Sequence, residues 1–226
     1  MDAATSANHS RVLTTMRISE IYASIHGESQ YAGLPCTLVR TTGCDLRCGY
    51  CDTTYAFHGG RDMALDEIVA EVDRLGQPFV LLTGGEPMLQ PDIAVLAKRL
   101  VDGGRRVAIE TSGAHAVDQL PAEVFRILDA KTPSSGESQR MNWKAFERLR
   151  WCDAVKFVIA DEVDYKWSVE KIAALGLAGS TEVLFSPVHG RLDAKTLIGW
   201  VVRDRLPVRL NLQLHKYIWG ADAKGV

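Results

Sequence analysis

The sequence predicts an α/β fold, a partial, incomplete TIM-like barrel of parallel strands with a shortened helical complement. Three observations carry that expectation. Short β-rich runs alternate with longer amphipathic ones, the pattern of parallel βαβ units. From Cys36–Thr41, about six strands precede a last one at Val208–Leu212, too few for a closed eight-fold barrel, which takes about 250 residues. Five polar or glycine-rich segments, T-G-C, T-G-G-E-P, E-T-S-G, D-A-K-T-P and F-S-P-V-H-G, each follow a strand's carboxyl end. In a parallel barrel that edge is where loops converge on a site.

Taken in order, Arg17–Ile25 and Cys36–Thr41 are predicted strands, separated by the turn-rich H-G-E-S-Q-Y-A-G-L-P. Leu65, Ile68, Val69, Val72 and Leu75 recur at helical spacing. Phe79–Leu82 is a buried strand ending in T-G-G-E-P, and Pro91 and Asp92 open a helix through Val101 that Gly103-Gly104 ends. Arg106–Glu110 and Phe125–Asp129 are strands, Trp143–Leu149 a short helix and Ala154–Ile159 a strand. A helix over Glu162–Leu175, a strand over Glu182–Phe185 and a helix over Ala194–Val202 precede the final strand. Neither repeats nor low-complexity linkers interrupt the chain, so residues 16–226 are expected to form one domain. Met1 to Thr15 are small and polar with no apolar h-region, so a disordered tail is expected there rather than a secretory signal.

Composition excludes several classes. A formal net charge of −2 over 226 residues gives no electrostatic basis for broad nucleic-acid binding. No apolar run approaches the roughly 20 residues that span a bilayer. Three of the five cysteines stand together, which argues for a metal in a reducing, cytoplasmic setting rather than for disulfides.

Those three, Cys44, Cys48 and Cys51, lie in G-C-D-L-R-C-G-Y-C-D with C-x3-C-x2-C spacing. The spacing turns three thiolates around one small centre, suiting soft metal ions and iron–sulfur clusters. Cys36 lies beyond a strand-like run and Cys152 is remote, so no fourth thiolate stands in the loop. A structural zinc site closes its coordination with four protein ligands. A three-cysteine 4Fe–4S cluster leaves one iron open.

With Tyr50 before the last cysteine, this motif resembles that of the radical S-adenosylmethionine (SAM) superfamily, and Gly84-Gly85-Glu86-Pro87 resembles its second signature. The resemblance implies that the SAM amine and carboxylate occupy the open iron, and that reduction releases a 5′-deoxyadenosyl radical. Further matches extend from about Met16 to Val226: E-I-Y through S-I-H-G-E-S, Pro35 to Arg40, Cys51-Asp52-Thr53, Leu128 to Pro133 and Gln213-Leu214-His215-Lys216. They resemble the 7-carboxy-7-deazaguanine synthase family, whose members convert 6-carboxytetrahydropterin to 7-carboxy-7-deazaguanine on the way to queuosine. They use SAM, one 4Fe–4S cluster and Mg²⁺, draw on an external electron donor such as flavodoxin, and are typically homodimers.

Carried onto this chain, the resemblance assigns Arg40 to the substrate carboxylate, for which a planar guanidinium is suited. It assigns Ile25, His26, Gly27, Glu28, Asp52, Thr83 and Val226 to the pterin and Thr53 to Mg²⁺. Tyr50, Gly84, Gly85, Glu86, Ser112, Lys131, Thr132 and Pro133 fall to SAM, as do Ser186, Pro187, Val188 and His189. Glu110 is open between a site role and that of a strand-end residue bonded to a neighbouring loop. Three departures stand out: His26 and Ser29 replace a frequent Gln and a Gly, S-P-V-H-G at Ser186–Gly190 replaces a Gln-Pro-containing loop, and the chain continues past His215-Lys216 to Val226. Two other functions fit parts of the pattern, a glycyl-radical-enzyme activase and a non-catalytic three-cysteine metal-binding module.

Overall fold

The computed structural model describes residues 14–226. Its elements in chain order are β1 (Thr15–Ile25), β2 (Pro35–Thr41), β3 (Arg61–Ala64), α1 (Leu65–Leu75), β4 (Phe79–Gly84) and α2 (Ile93–Asp102). They continue with β5 (Arg106–Thr111), β6 (Phe125–Ala130), α3 (Trp143–Phe146), β7 (Ala154–Ile159) and α4 (Glu162–Ala174). The last are β8 (Glu182–Pro187), α5 (Ala194–Arg203), β9 (Arg209–Leu210) and α6 (Leu214–Trp219).

The nine strands of the described residues join one sheet in the order β3-β1-β2-β4-β5-β6-β7-β8-β9. From β2 to β9 every neighbouring pair runs parallel, whereas β1 is antiparallel to both β2 and β3. The sheet ends at β3 and β9 without pairing them, so the barrel stays open, as the strand count predicts.

The predicted strands and helices all form, with ends shifted by a few residues. Two elements were not anticipated. The R-D-M-A of β3 has no apolar alternation and is held by backbone pairing with Thr15–Ile18. The six residues of α6 have no side-chain cap at their start. Thr15, the last residue of the expected tail, already pairs with Ala64, and the rest of that tail up to Leu13 lies outside the described residues. The β5–β6 crossover carries no helix; Val117, Leu120 and Val124 cover the sheet there instead. Among the described residues, no helix is long and apolar enough to cross a membrane.

Side chains alternate across each strand, and the two faces differ. On the convex face Val39, Leu82, Ile109, Leu128 and Phe157 pack against Ile68, Leu96, Ile172 and Leu197 of the helices. The concave face carries Leu38, Leu81, Ala108, Ile127, Ala154 and Leu184 as its inner apolar layer. Two residues further along the same strands, Arg40, Thr83, Glu110, Asp129, Lys156 and Ser186 point into the barrel mouth. A floor of apolar side chains thus lies under a polar layer at the carboxyl ends.

The amino-terminal end is closed by the loop between β1 and β2. Tyr31 packs 5.0 Å from Phe79 and 5.2 Å from Phe125, ring centroid to centroid. The Arg106 guanidinium stands over Tyr31, Phe79 and Phe125 at 5.2–5.8 Å.

On the convex face Phe157 is fully buried, with its ring 5.8 Å from Phe185 and 6.5 Å from Trp167. Phe157→Ala is expected to cost about 3–5 kcal/mol through lost burial and an unfilled cavity, read as a lower denaturation midpoint at unchanged slope.

Candidate active site

The strand ends and loops of the barrel mouth enclose a cleft of about 790 Å³. Its floor is the apolar layer, and its walls are built in sequence order around the rim.

The cysteine loop forms the first wall. Cys44, Cys48 and Cys51 are free thiols that all line the cleft. Backbone bonds from Gly43 N–H to Ala56 O (2.8 Å) and Gly49 N–H to Ser135 O (3.0 Å) fix the loop at both ends. Arg140 donates to Asp45 Oδ2 at 2.7 Å, and Glu137 Oε1 accepts from the Arg47 N–H at 2.6 Å, tying the loop to the segment after β6. Burial pushes the Cys48 thiol up to about 11 and raises Cys44 as well, so both thiols need a metal to become thiolates.

The G-G-E-P turn lies directly against this loop. Gly85 N–H donates to Thr41 O at 3.2 Å and Glu86 N–H to Gly43 O at 2.7 Å. A Cβ on Gly85 would stand 2.3 Å from Gly43 O and 3.0 Å from Cys44 Cβ. Only glycine permits that approach. Gly84 is in the left-handed half of backbone space, at φ 159°, with a built Cβ 2.3 Å from Thr41 Oγ1.

Glu86 does not reach the cleft. Its carboxylate is fully buried and accepts from Met88 N–H (2.9 Å), Thr111 Oγ1 (2.6 Å) and Ser112 N–H (2.7 Å). It therefore joins the end of β4 to the end of β5 and positions Ser112, which does line the cleft.

Three other predicted residues also fall outside. Ile25 and Gly27 face the cleft, so alternation turns His26 the other way. The His26 ring is buried 5.7 Å from Phe79 and 5.9 Å from Tyr31, and burial lowers its pKa to about 4. The Thr132 hydroxyl donates to Val158 O (2.8 Å) and lies 3.2 Å from Tyr50 Oη, while Pro133 opens a 3-10 turn behind the wall. Both support Tyr50 and Lys131 rather than touching the cavity. Ile25, Gly27, Glu28, Arg40 and Thr83 line it as expected, together with Tyr50, Asp52, Thr53 and Lys131. Ser186 to His189 complete the β8 side, and Val226 lies at the mouth.

A chain of charges crosses the floor. Lys131 Nζ is 3.0 Å from Asp129 Oδ2, and Lys156 Nζ is 3.5 Å from the same oxygen and 2.9 Å from Glu28 Oε2. Gln213 Nε2 donates to Glu28 Oε1 and to Asp52 Oδ2, each at 2.9 Å. Lys216 Nζ donates to Asp52 Oδ2 at 2.7 Å. Burial opposes ionisation of Glu28, but Lys156 outweighs it and holds the carboxyl below the usual range. Burial likewise opposes charge on Asp52, yet Lys216 and Gln213 bring it to about 2. Glu110 has the opposite outcome. It makes no hydrogen bond among the described residues, and burial, aided by Glu28 and Asp129, raises it to about 7.

Sequence reasoning missed Asp129, Lys156, Gln213, His215 and Lys216 as cleft residues. A signal existed for Lys156, a cation inside the apolar run A-V-K-F-V-I. For α6 it was weaker. Gly27 approaches His215 so closely that a Cβ would stand 2.3 Å from its Nδ1, and Leu214 N–H donates to Gly27 O at 2.8 Å.

On the β2 side, Arg40 Nε donates to Glu20 Oε1 at 2.6 Å, and Tyr55 Oη donates to the same oxygen at 2.9 Å. Tyr22 and Tyr55 lie beside the same guanidinium, which lines the cleft. Ala221 to Val226 run along the mouth, with Lys224 Nζ 4.9 Å from the centre of the Tyr55 ring.

The donor set can be tested against a metal group. Among the described residues, no three His, Cys, Asp or Glu side chains meet as the ligands of one ion. A single zinc would hold thiolates about 2.3 Å from a common point. A 4Fe–4S cluster instead takes each thiolate on a separate iron, which fits three thiols spread around one cleft wall beside a glycine-lined gap.

The radical SAM superfamily profile matches residues 38–130. Over 226 aligned residues the chain is 43% identical to a 7-carboxy-7-deazaguanine synthase of Koribacter versatilis, covering 93% of this chain and 100% of the relative. It is 45% identical over 215 residues to that of Chlorobaculum tepidum, covering 93% and 97%. The crystal structure of QueE from Escherichia coli superposes with a TM-score of 0.74 at 22% identity, over 88% of this chain and 94% of that one. Streptococcus suis SuiB bound to S-adenosylmethionine shares the fold more loosely, at TM-score 0.53 and 12% identity over 75% of this chain and 44% of that one. With relatives this similar over nearly their whole length, the chain belongs to the 7-carboxy-7-deazaguanine synthase family of the radical SAM superfamily.

Proposed function

We propose that this chain is a carbon–nitrogen lyase that contracts the ring of 6-carboxy-5,6,7,8-tetrahydropterin to 7-carboxy-7-deazaguanine, with loss of ammonia, in queuosine and related deazapurine biosynthesis. The observation that carries it is one cleft holding the three cysteines, the G-G-E-P edge and the buried Arg40 guanidinium. Cys44, Cys48 and Cys51 would hold the cluster, and Gly84, Gly85, Ser112, Lys131 and the Ser186–His189 segment would receive SAM. When bound, these groups supply the 5′-deoxyadenosyl radical that takes hydrogen from C6 of the pterin.

The chain's own residues bind and orient. Arg40, held at Nε by Glu20, offers its fork to the substrate carboxylate as a bidentate pair. Glu28 is ionised and fixed by three partners, so it accepts from N–H groups of the pterin without reorganising. The Thr53 hydroxyl lies 3.7 Å from Cys51 Sγ and would offer one oxygen ligand to a bound Mg²⁺. Asp52 is committed to Gln213 and Lys216 and steadies that side. Ala221 to Val226 narrow the mouth and help exclude water, which suits a small molecule better than the peptide loop of an activase substrate. An external electron donor such as flavodoxin and a homodimeric assembly complete the proposal.

Anaerobic turnover with 6-carboxytetrahydropterin, SAM and a reductant is expected to give 7-carboxy-7-deazaguanine, faster with Mg²⁺ than without. Release of 5′-deoxyadenosine with no deazapurine would contradict the assignment and leave the superfamily intact. Arg40→Ala should retain its iron and its SAM cleavage while KM for the pterin rises about 30-fold or more, the cost of leaving a charged partner unmatched. In Gly85→Ala the added methyl meets backbone on the cysteine loop. Iron and sulfide content per chain should fall well below wild type in that variant while the far-ultraviolet circular dichroism stays native.

A further inference from the structure

Lys156 is a buried cation in the middle of parallel strand β7, with its charge inside the barrel. It lies on β7, across the cleft from Arg40 on β2. Its side chain is 9% exposed and its ammonium lies between Glu28 and Asp129. Those carboxylates serve different halves of the cleft. Asp129 pairs with Lys131, beside Tyr50 and the cysteine wall, whereas Glu28 bonds Asn211 and Gln213, and Gln213 continues to Asp52. Holding an ammonium out of water is costly unless it is paired and hydrogen-bonded.

We propose that Lys156 is a positioning residue for the ring-contraction reaction: its ammonium fixes the Glu28 carboxylate toward the pterin and locks the SAM half of the cleft to the substrate half. This rests on the function proposed above. Lys156 acts through Glu28 and Asp129 and not as an acid or base, because its carboxylate neighbours keep it protonated against burial. Its geometry leaves the Glu110 carboxyl unpartnered, so that Glu28 and Asp129 divide the ammonium between them. Around Glu28 the charged and titratable groups are Lys156 from β7, Asp129 from β6, Glu110 from β5, Asp52 after the cysteine loop, His215 and Lys216 from α6, and His26 from its own loop.

The test uses the reconstituted holoenzyme with Lys156→Met, Lys156→Arg, Glu28→Gln and the double variant Lys156→Met/Glu28→Gln. Lys156→Met is expected to keep its iron content and SAM affinity. Its KM for 6-carboxytetrahydropterin should rise about 30-fold or more, as when one partner of a buried charge pair is cut, and 5′-deoxyadenosine should form in excess over product. Without the ammonium, Glu28 takes up a proton more readily, so the acid limb of kcat/KM should move to higher pH than in wild type. Lys156→Arg should restore part of the KM. The double variant should be no worse than the worse single one, since each removes the same contact.

Unchanged KM, coupling and pH profile in Lys156→Met would overturn the proposal, and so would loss of iron in step with activity or additive losses in the double variant. If Lys156→Met does not fold, Glu28→Gln and Lys156→Arg decide: a wild-type KM in Glu28→Gln overturns it. Failure of wild type to form the deazapurine refutes the function itself, a different result from a normal Lys156→Met.

Discussion

The site depends on one contact between two backbones. Gly85 lies so close to Gly43 that neither side chain nor water fits between them, and the Glu86 N–H to Gly43 O bond closes the approach. From there Glu86 reaches across to Thr111 and Ser112, so the ends of β2, β4 and β5 form one rigid corner. The cysteine loop enters that corner at Cys44. A loop of ten residues carrying three thiols has little intrinsic preference for one shape, and the entropy of fixing it is substantial. The corner and the ties to Ser135, Glu137 and Arg140 hold it in place.

The second constraint is electrostatic and follows from strand alternation. Every inward position at the mouth sits two residues past an apolar one, so the chain places charge directly over a hydrophobic floor. Charges there are viable only when paired. Arg40 pairs with Glu20, Lys131 and Lys156 share Asp129, and Glu28 and Asp52 share Gln213. Among the described residues the carboxyl of Glu110 is left without a hydrogen bond, and burial raises it to about 7.

Much of this was legible in the sequence for physical reasons. The β-run and helix periodicities place the parallel strands because each buries one face, and G-G-E-P and C-x3-C-x2-C mark strand ends through glycine and thiol chemistry. Elements held by tertiary pairing alone were not legible. The four residues of β3 lack a pattern, and α6 is too short to have a strong helical signal of its own. Side-chain direction was the other gap. The sequence placed His26 in the right loop, but alternation turns its ring into the aromatic plug. Glu86 stands in the right motif, yet its carboxylate is consumed by backbone donors. The tail past Lys216 carries no motif of its own; the resemblance assigned Val226 to the site, and the fold carries it to the mouth.

The cysteine wall and the G-G-E-P edge face one another closely enough to hold one group between them. The most direct measurement is electron–nuclear double resonance on the reduced, reconstituted protein with SAM carrying ¹⁵N at its amino group. A ¹⁵N coupling to the cluster is expected, absent with unlabelled SAM and lost when SAM is omitted. Identical spectra with labelled and unlabelled SAM would contradict it.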